Sequence, residues 1–329
     1  MVRNRIIFLL GFVIILSGCS YKTTVSIDTL EPPTTTFINT KKPITVNYTY
    51  VNSGQLSKVL HQKNDFDSIA ADAAAYIMAS EVKSRSLFSQ TNIVVTQTYR
   101  NDSLASKGFN LSSSDITNVI LRTKSDAVLS LDYFSLNPEI TVLPSPNGGY
   151  SAYLILETVA LWRSYSPSTN KSTGEYLFKE SYSWDANGPA MASAISNLPS
   201  LGEISQWVGS ECGKKSASAF APFWSTVNRY IFVNSDPKWI QARNLVKMGD
   251  WSSAAKIWSW QVGENKNPKK QWQAAYNLAV ASEVQNDLLL ALSWLDAADS
   301  FVSGSQEVKM YRETIQLRLK SQKILESYK

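Results

Sequence analysis

Histidine occurs once in this chain, at His61, and cysteine only twice, at Cys19 and Cys212. With a single imidazole, a Ser-His-Asp or Cys-His apparatus or a His-based metal site would have to be built on His61 itself. That residue sits in the polar stretch Lys58-Val-Leu-His-Gln-Lys63 and reads as a loop residue. No apolar run approaches the roughly 20 residues that a membrane-spanning helix needs. The longest, Ile6 to Leu16, has eleven residues. Charge of one sign is also scarce. The formal net charge is +5, and charged residues make up 18% of the chain, too little basic excess to attract nucleic acid. What is present is a globular composition, 44% apolar over 329 residues, long enough for two domains.

The amino terminus has the layout of an export signal. Arg3 and Arg5 form a basic lead, Ile6 to Leu16 an apolar stretch, and Leu16-Ser17-Gly18-Cys19 follows at once. An aliphatic residue, two small residues and a cysteine have the form of a lipobox. Residues 1–18 therefore read as a lipoprotein signal peptide, with Cys19 carrying diacylglycerol and, on its freed amine, a further acyl chain such as palmitate. Two or three acyl chains hold a protein stably at a bilayer, because each buried methylene contributes about 0.8 kcal/mol. Ser20 after the cysteine favours an outer-membrane, periplasm-facing location. With Cys19 consumed by lipid, Cys212 has no disulfide partner and reads as a small buried residue.

Residues 19–42 read as the lipidated cysteine and a Thr- and Pro-rich tether. A mixed α/β domain is expected over 43–233. Ile44-Thr-Val-Asn-Tyr-Thr-Tyr50 alternates as a strand does. Ile69, Ala73, Tyr76, Ile77 and Val82 mark an apolar helical stripe between Asp65 and Phe88. Thr91 to Thr98 reads as a second strand, Ser112 as the cap of a helix running to Thr123, and Asp126 to Tyr133 as the start of a third strand. Tyr150 to Ser164 and Glu175 to Trp184 form a hairpin, with Tyr176, Phe178, Tyr182 and Trp184 on one face of its second arm. Helical patterns cover 191–196 and 201–220. The expected class is thus α+β, a sheet with packed helices followed by an all-α region.

That second region, 234–329, carries a repeat. Ala242, Gly249, Asp250, Ala254 and Trp258 recur as Ala279, Asn286, Asp287, Ala291 and Leu295 at a constant offset of 37. The tetratricopeptide unit is about 34 residues, and the loop Asn265-Lys-Asn-Pro-Lys-Lys270 absorbs the excess. Small alanines allow close helix pairing, Gly249 and Asn286 suit a left-handed helix end, and Gln306 to Leu325 reads as a capping helix.

Several segments together resemble a family of uncharacterised Gram-negative, Bacteroidetes-type envelope lipoproteins. They are Thr29-Leu-Glu-Pro-Pro33, Ala221-Pro-Phe-Trp224 with Asn228-Arg-Tyr230, Asp250-Trp-Ser-Ser-Ala-Ala-Lys-Ile-Trp258 and Ala274-Ala-Tyr-Asn-Leu-Ala-Val-Ala-Ser-Glu283. The resemblance implies a fold, a mixed domain with carboxyl-terminal tetratricopeptide-like helices, and an address, but no reaction.

No catalytic group, metal site or cofactor is expected. Gly209-Ser-Glu-Cys-Gly213-Lys-Lys-Ser216 misses the spacing of a phosphate loop, and Asp65, Asp67 and Asp72 read as helix-start acids. Glu157, Glu175, Glu180 and Asp185 are the carboxylates a hydrolase would draw on. The expected role is a non-enzymatic protein-interaction or assembly adaptor, attached to a membrane by lipid and docking an envelope protein. Trp239, Arg243, Lys247, Tyr276 and Glu283 are the residues expected to line its concave helical side. The alternative is a glycan- or cell-wall-binding lipoprotein that stacks sugars on the aromatic face of the hairpin.

Overall fold

The computed structural model describes residues 21–35, 43–50, 66–85, 93–99, 110–146, 148–166 and 171–327. The signal peptide, Cys19, His61 and Asp65 lie outside the described residues. The class is α+β, and the chain divides into two compact units that part after Trp224.

The first unit is built on a five-stranded mixed sheet. Its strands are β2 (Ile44–Tyr50), β3 (Ile93–Tyr99), β4 (Ala127–Pro144), β5 (Tyr150–Ser166) and β6 (Lys171–Gly188), in the order β3-β2-β4-β5-β6. β2 runs parallel to both β3 and β4, whereas β4, β5 and β6 are mutually antiparallel. Helix α1 (Phe66–Ser84) joins β2 to β3, and α2 (Ser113–Thr123) carries the chain back across β2 to β4. The two crossovers travel in opposite directions. With the right-handed sense that parallel connections adopt, they leave their helices on opposite faces. Accordingly α1 packs with Leu129, Leu131 and Trp162, and α2 with Val128 and Tyr165. Ser112 caps α2 in a reciprocal capping box with Asp115.

Short α3 (Met191–Ser196) and long α4 (Leu201–Phe220) complete the layer over the α1 face. The Gly209-to-Ser216 segment lies within α4, and its glycines are packing surfaces. A Cβ on Gly209 would sit 2.1 Å from the Ala70 carbonyl oxygen, and one on Gly213 2.4 Å from that of Ala74. This close approach decides which face of α1 is buried. The expected stripe is corrected: Ile69 and Tyr76 are exposed, and the buried face is Ala70, Ala71, Ala74, Ala75, Met78 and Val82. Small residues win because the backbones nearly touch. Cys212 lies in the same buried face of α4, and burial raises its thiol pKa to about 12.

The second unit pairs a ribbon with helices. The stretch read as a tether is in fact a strand, β1 (Tyr21–Glu31), hydrogen-bonded to β7 (Phe223–Val233). Thr29 bonds Ser225, Asp28 bonds Thr226 and Ser26 bonds Asn228, so the two strands run antiparallel. A Thr-rich segment suits a strand as well as a tether, and its partner lies some two hundred residues away. Five helices follow, α5 (Pro237–Lys247), α6 (Trp251–Glu264), α7 (Pro268–Val284), α8 (Leu288–Phe301) and α9 (Gln306–Glu326). The 37-residue offset recurs in atomic detail. Gly249 and Asn286 both have positive φ, +80° and +59°. The Gly249 and Asp250 amides bond Val246 and Leu245, and the Asn286 and Asp287 amides bond Glu283 and Ser282. Asp250 then caps α6 through the Ser253 amide, as Asp287 caps α8 through that of Leu290. Ala242, Ala254, Ala279, Ala291 and Leu295 are wholly buried.

Gly213→Ala should lower stability by about 1–3 kcal/mol, since overpacking must push two helices apart. Gly202→Ala, whose added methyl meets nothing within 4 Å, should leave it unchanged or slightly raised. Urea unfolding of the two variants checks the contrast.

Candidate functional site

In the second unit the candidate groove residues are divided by burial. Every side chain of α7 from Trp272 to Glu283 is buried, and Tyr276 stacks on Tyr230 with ring centroids 5.1 Å apart. Trp239 is likewise in the core. Arg243 is half-buried and donates to the Tyr21 hydroxyl at 2.7 Å, and only Lys247 is fully exposed. Trp239, Tyr276 and Glu283 therefore do not line an open concave surface. They are core positions, because the β1–β7 ribbon occupies the side of α7 that a partner was expected to take. Asn277 acts as a strand substitute there. Its amide accepts from the Phe232 N–H at 2.7 Å and donates to the Phe232 carbonyl at 2.8 Å.

Glu283 is the electrostatic centre of this unit. Arg229 of β7 grips it with two bonds of 2.8 Å, Arg318 of α9 donates at 2.9 Å, and the Tyr311 hydroxyl donates at 2.5 Å. Burial pushes its pKa up, but the surrounding donors outweigh that and hold it below the ordinary value. Burial and the adjacent carboxylate raise the Tyr311 phenol far out of the physiological range. The constellation has no free lone-pair direction facing solvent, so its chemistry is structural. Arg229, Arg318 and Tyr311 were not singled out by the sequence, where no spacing links positions 229, 283, 311 and 318.

In the first unit three of the four carboxylates a hydrolase would draw on are engaged in ion pairs. Glu157 pairs with Lys179 at 2.7 Å, Glu175 with Arg163 at 2.7 Å, and Glu180 with Lys215 and the Tyr182 hydroxyl. Asp185 is exposed at the sheet margin. The helix-start acids also serve packing. Asp67 accepts from the Leu136 amide at 2.9 Å, where β4 has run beyond the end of β2, and Asp72 accepts from the Tyr48 hydroxyl at 2.7 Å. The aromatic face of β6 is turned beneath α4. Phe178 is buried, Tyr176 meets Phe220 edge-on, and Tyr182 and Trp184 pack edge-on against Trp207.

Asp132, the extra residue of a β-bulge between Leu131 and Tyr133, is buried on the sheet face that carries Val128 and Ser130. There it meets Arg163 at 3.2 Å and the Tyr165 hydroxyl. Burial is the dominant influence and lifts its carboxyl to about 6, against the opposing pull of Ser130, Tyr165 and Arg163. Being wholly buried, it has no access to a substrate. An apolar hollow of about 560 Å³ is lined by Phe66, Ile69, Ile140, Leu154, Ile195 and Leu201 among others, with no ionisable side chain among the described residues of its wall. A polar hollow of about 440 Å³ in the second unit holds Asp296 and Asp299, but Asp296 pairs with Arg312 and Asp299 accepts the Gly304 amide. Among the described residues no cluster of metal-ligating side chains is found. On the sheet face away from α1 and α4, Tyr153, Ile155 and Leu177 are exposed.

The architecture thus defines an α+β protein whose buried charges are spent on packing. Residues 38–232 match a family model described as a domain of unknown function, DUF8603, and the chain belongs to that family. Residues 240–319 match a second domain of unknown function, DUF6340. No curated protein matches the chain. Among solved structures, a PelC dodecamer from Paraburkholderia phytofirmans is similar at 10% identity over 60% of this chain and 99% of that one, with a TM-score of 0.23. The hypothetical protein CT253 from Chlamydia trachomatis aligns at 10% identity over 54% of this chain and 97% of its own, with a TM-score of 0.28.

Glu283→Ala should cost about 3–5 kcal/mol, because it leaves two partly buried guanidinium groups without their anion; thermal unfolding measures the loss. The two buried acids should also shape stability against pH in opposite senses. The depressed Glu283 contributes fully above the usual carboxylate range and is lost as pH falls through its folded value. Asp132 behaves in reverse. From about pH 4 to 6 the folded chain keeps a proton that the unfolded chain releases, so its contribution declines as pH rises through that window. Urea unfolding between those limits should be less steep with pH for Asp132→Asn on this account.

Proposed function

We propose that the chain is a lipid-anchored envelope protein that acts as a non-enzymatic interaction or assembly adaptor. The observation that carries the reading is Leu16-Ser17-Gly18-Cys19 placed directly after a basic lead and an eleven-residue apolar run. Attachment is assigned to lipid on Cys19; among the described residues no helix is long and apolar enough to cross a membrane. Ser20 directs the protein to the outer membrane, facing the periplasm. The adaptor role draws support from the helical repeats and from the engagement of Glu157, Glu175 and Glu180 in ion pairs. Because the residues first assigned to the concave helical side are largely core, docking falls to exposed apolar positions. These are Met248, Leu289 and Met310 in the helical unit and Tyr153 and Ile155 on the sheet.

Metabolic labelling with palmitate tests the anchor. Wild type should incorporate label and sediment with membranes, and Cys19→Ala should do neither; an unlabelled wild type would end the proposal. In-cell crosslinking then tests the adaptor. One defined envelope protein should be enriched by the anchored form over Cys19→Ala, and equal yields from both would count against it.

A further inference from the structure

We infer that the sheet is completed by a second copy of this chain, paired antiparallel through the outer edge of β6 with Leu177 on the twofold axis. β6 closes the strand order β3-β2-β4-β5-β6, so among the described residues no strand covers its far edge. It is 18 residues long and contains no proline. Such an edge presents a row of backbone donors and acceptors to any strand that can match it. Proteins blunt exposed edges with charge, and β6 does carry charge, but in a pattern that complements itself.

On the open face, Glu175, Leu177 and Lys179 project in succession and all are exposed. A twofold axis perpendicular to the sheet pairs residues symmetrically about one position while keeping each side chain on its own face. Only the register centred on Leu177 sets Glu175 of one copy against Lys179 of the other. That register makes both contacts at once, one on each side of the axis. It also prolongs the pairs already formed within each copy. Arg163 binds Glu175 and Glu157 binds Lys179, so an alternating row runs from Arg163 through Glu175 to Lys179 and Glu157 of the second copy. Between the two charged rows, Leu161 and Leu177 lie directly opposite each other. With their twofold mates they form an apolar row four side chains wide. Opposite charges and apolar pairs directly across strands each stabilise pairing by about 0.2–1 kcal/mol.

The flat part of the edge is bounded. Ser164 is opposite Gly174 but Tyr165 is opposite Ser172, so Thr173 is an extra residue that bulges. A bulge ends regular pairing, which confines the joint to Gly174 through Glu180, the seven residues symmetric about Leu177. This inference is independent of the anchor and of any adaptor partner.

The test is oxidative crosslinking of the full chain carrying Leu177→Cys, with the bond located by peptide mass. On the axis the two Cβ atoms come within about 5 Å, near disulfide range, so a 177–177 link should form. Ser181→Cys should not link to itself, because its two copies lie about 25 Å apart at 3.3 Å per residue. Lys179→Glu added to Leu177→Cys should cut the yield about tenfold, one decade of association constant. Adding Glu175→Lys to that protein should restore it, an outcome that damage to the fold would not produce. Far-UV circular dichroism checks that each variant is folded. Failure of folded Leu177→Cys to link, or equal linking by Ser181→Cys, would overturn the inference.

Discussion

A carboxylate removed from water must be surrounded by donors or it will not stay charged, and Glu283 organises its unit around that requirement. Its donors come from β7, at Arg229, and from α9, at Arg318 and Tyr311. One side chain on α7 therefore ties the ribbon to the capping helix. Asn277, two turns earlier on α7, completes the ribbon's backbone bonding at Phe232. The result is a helix buried on every side from Trp272 to Glu283. Elsewhere in the unit the repeats supply close-packed alanines and left-handed helix ends, but these alone do not specify where a strand should lie. The charge cluster does, because a mispositioned β7 would leave Glu283 facing a single guanidinium.

The sheet unit depends on a different constraint, the approach of two helices to backbone contact. Gly209 and Gly213 admit Ala70 and Ala74 to within the distance of a missing Cβ. This draws α4 over the sheet and covers Phe178, Tyr176 and Tyr182. The aromatic face that sequence alone offers as a sugar platform is therefore a packing surface, and exposed apolar area is left on the opposite side. α4 covers a face and not an edge, and among the described residues no strand pairs with the far edge of β6.

Several features could be read directly because they depend on neighbours in sequence. The cap at Ser112, the strand at 44–50, helices over 191–196 and 201–220, and the 37-residue repeat with its left-handed helix ends are of this kind. The stripe on α1 was misread for a specific reason. Large apolar residues such as Ile69 and Tyr76 ordinarily mark a buried face, but here the neighbouring backbone lies too close to admit them. The candidate docking residues failed for a related one. Tyr276 and Glu283 stand on the repeat's inner side, as its periodicity implies, and that side is filled by a strand from elsewhere in the chain.

The amino-acid sequence by itself determined the α+β class and the helix-turn-helix repeat with its left-handed turns at Gly249 and Asn286. Both are set by local preference, period and short-range spacing. The tertiary structure alone decided that residues 21–31 are a strand and not a tether, that α1 buries its alanines, that Asp132 is buried beside Arg163 and Tyr165, and that Glu283 is a core ion held by two arginines. Each of these depends on groups far apart along the chain, with partners and burial that come into being only when the chain has closed on itself.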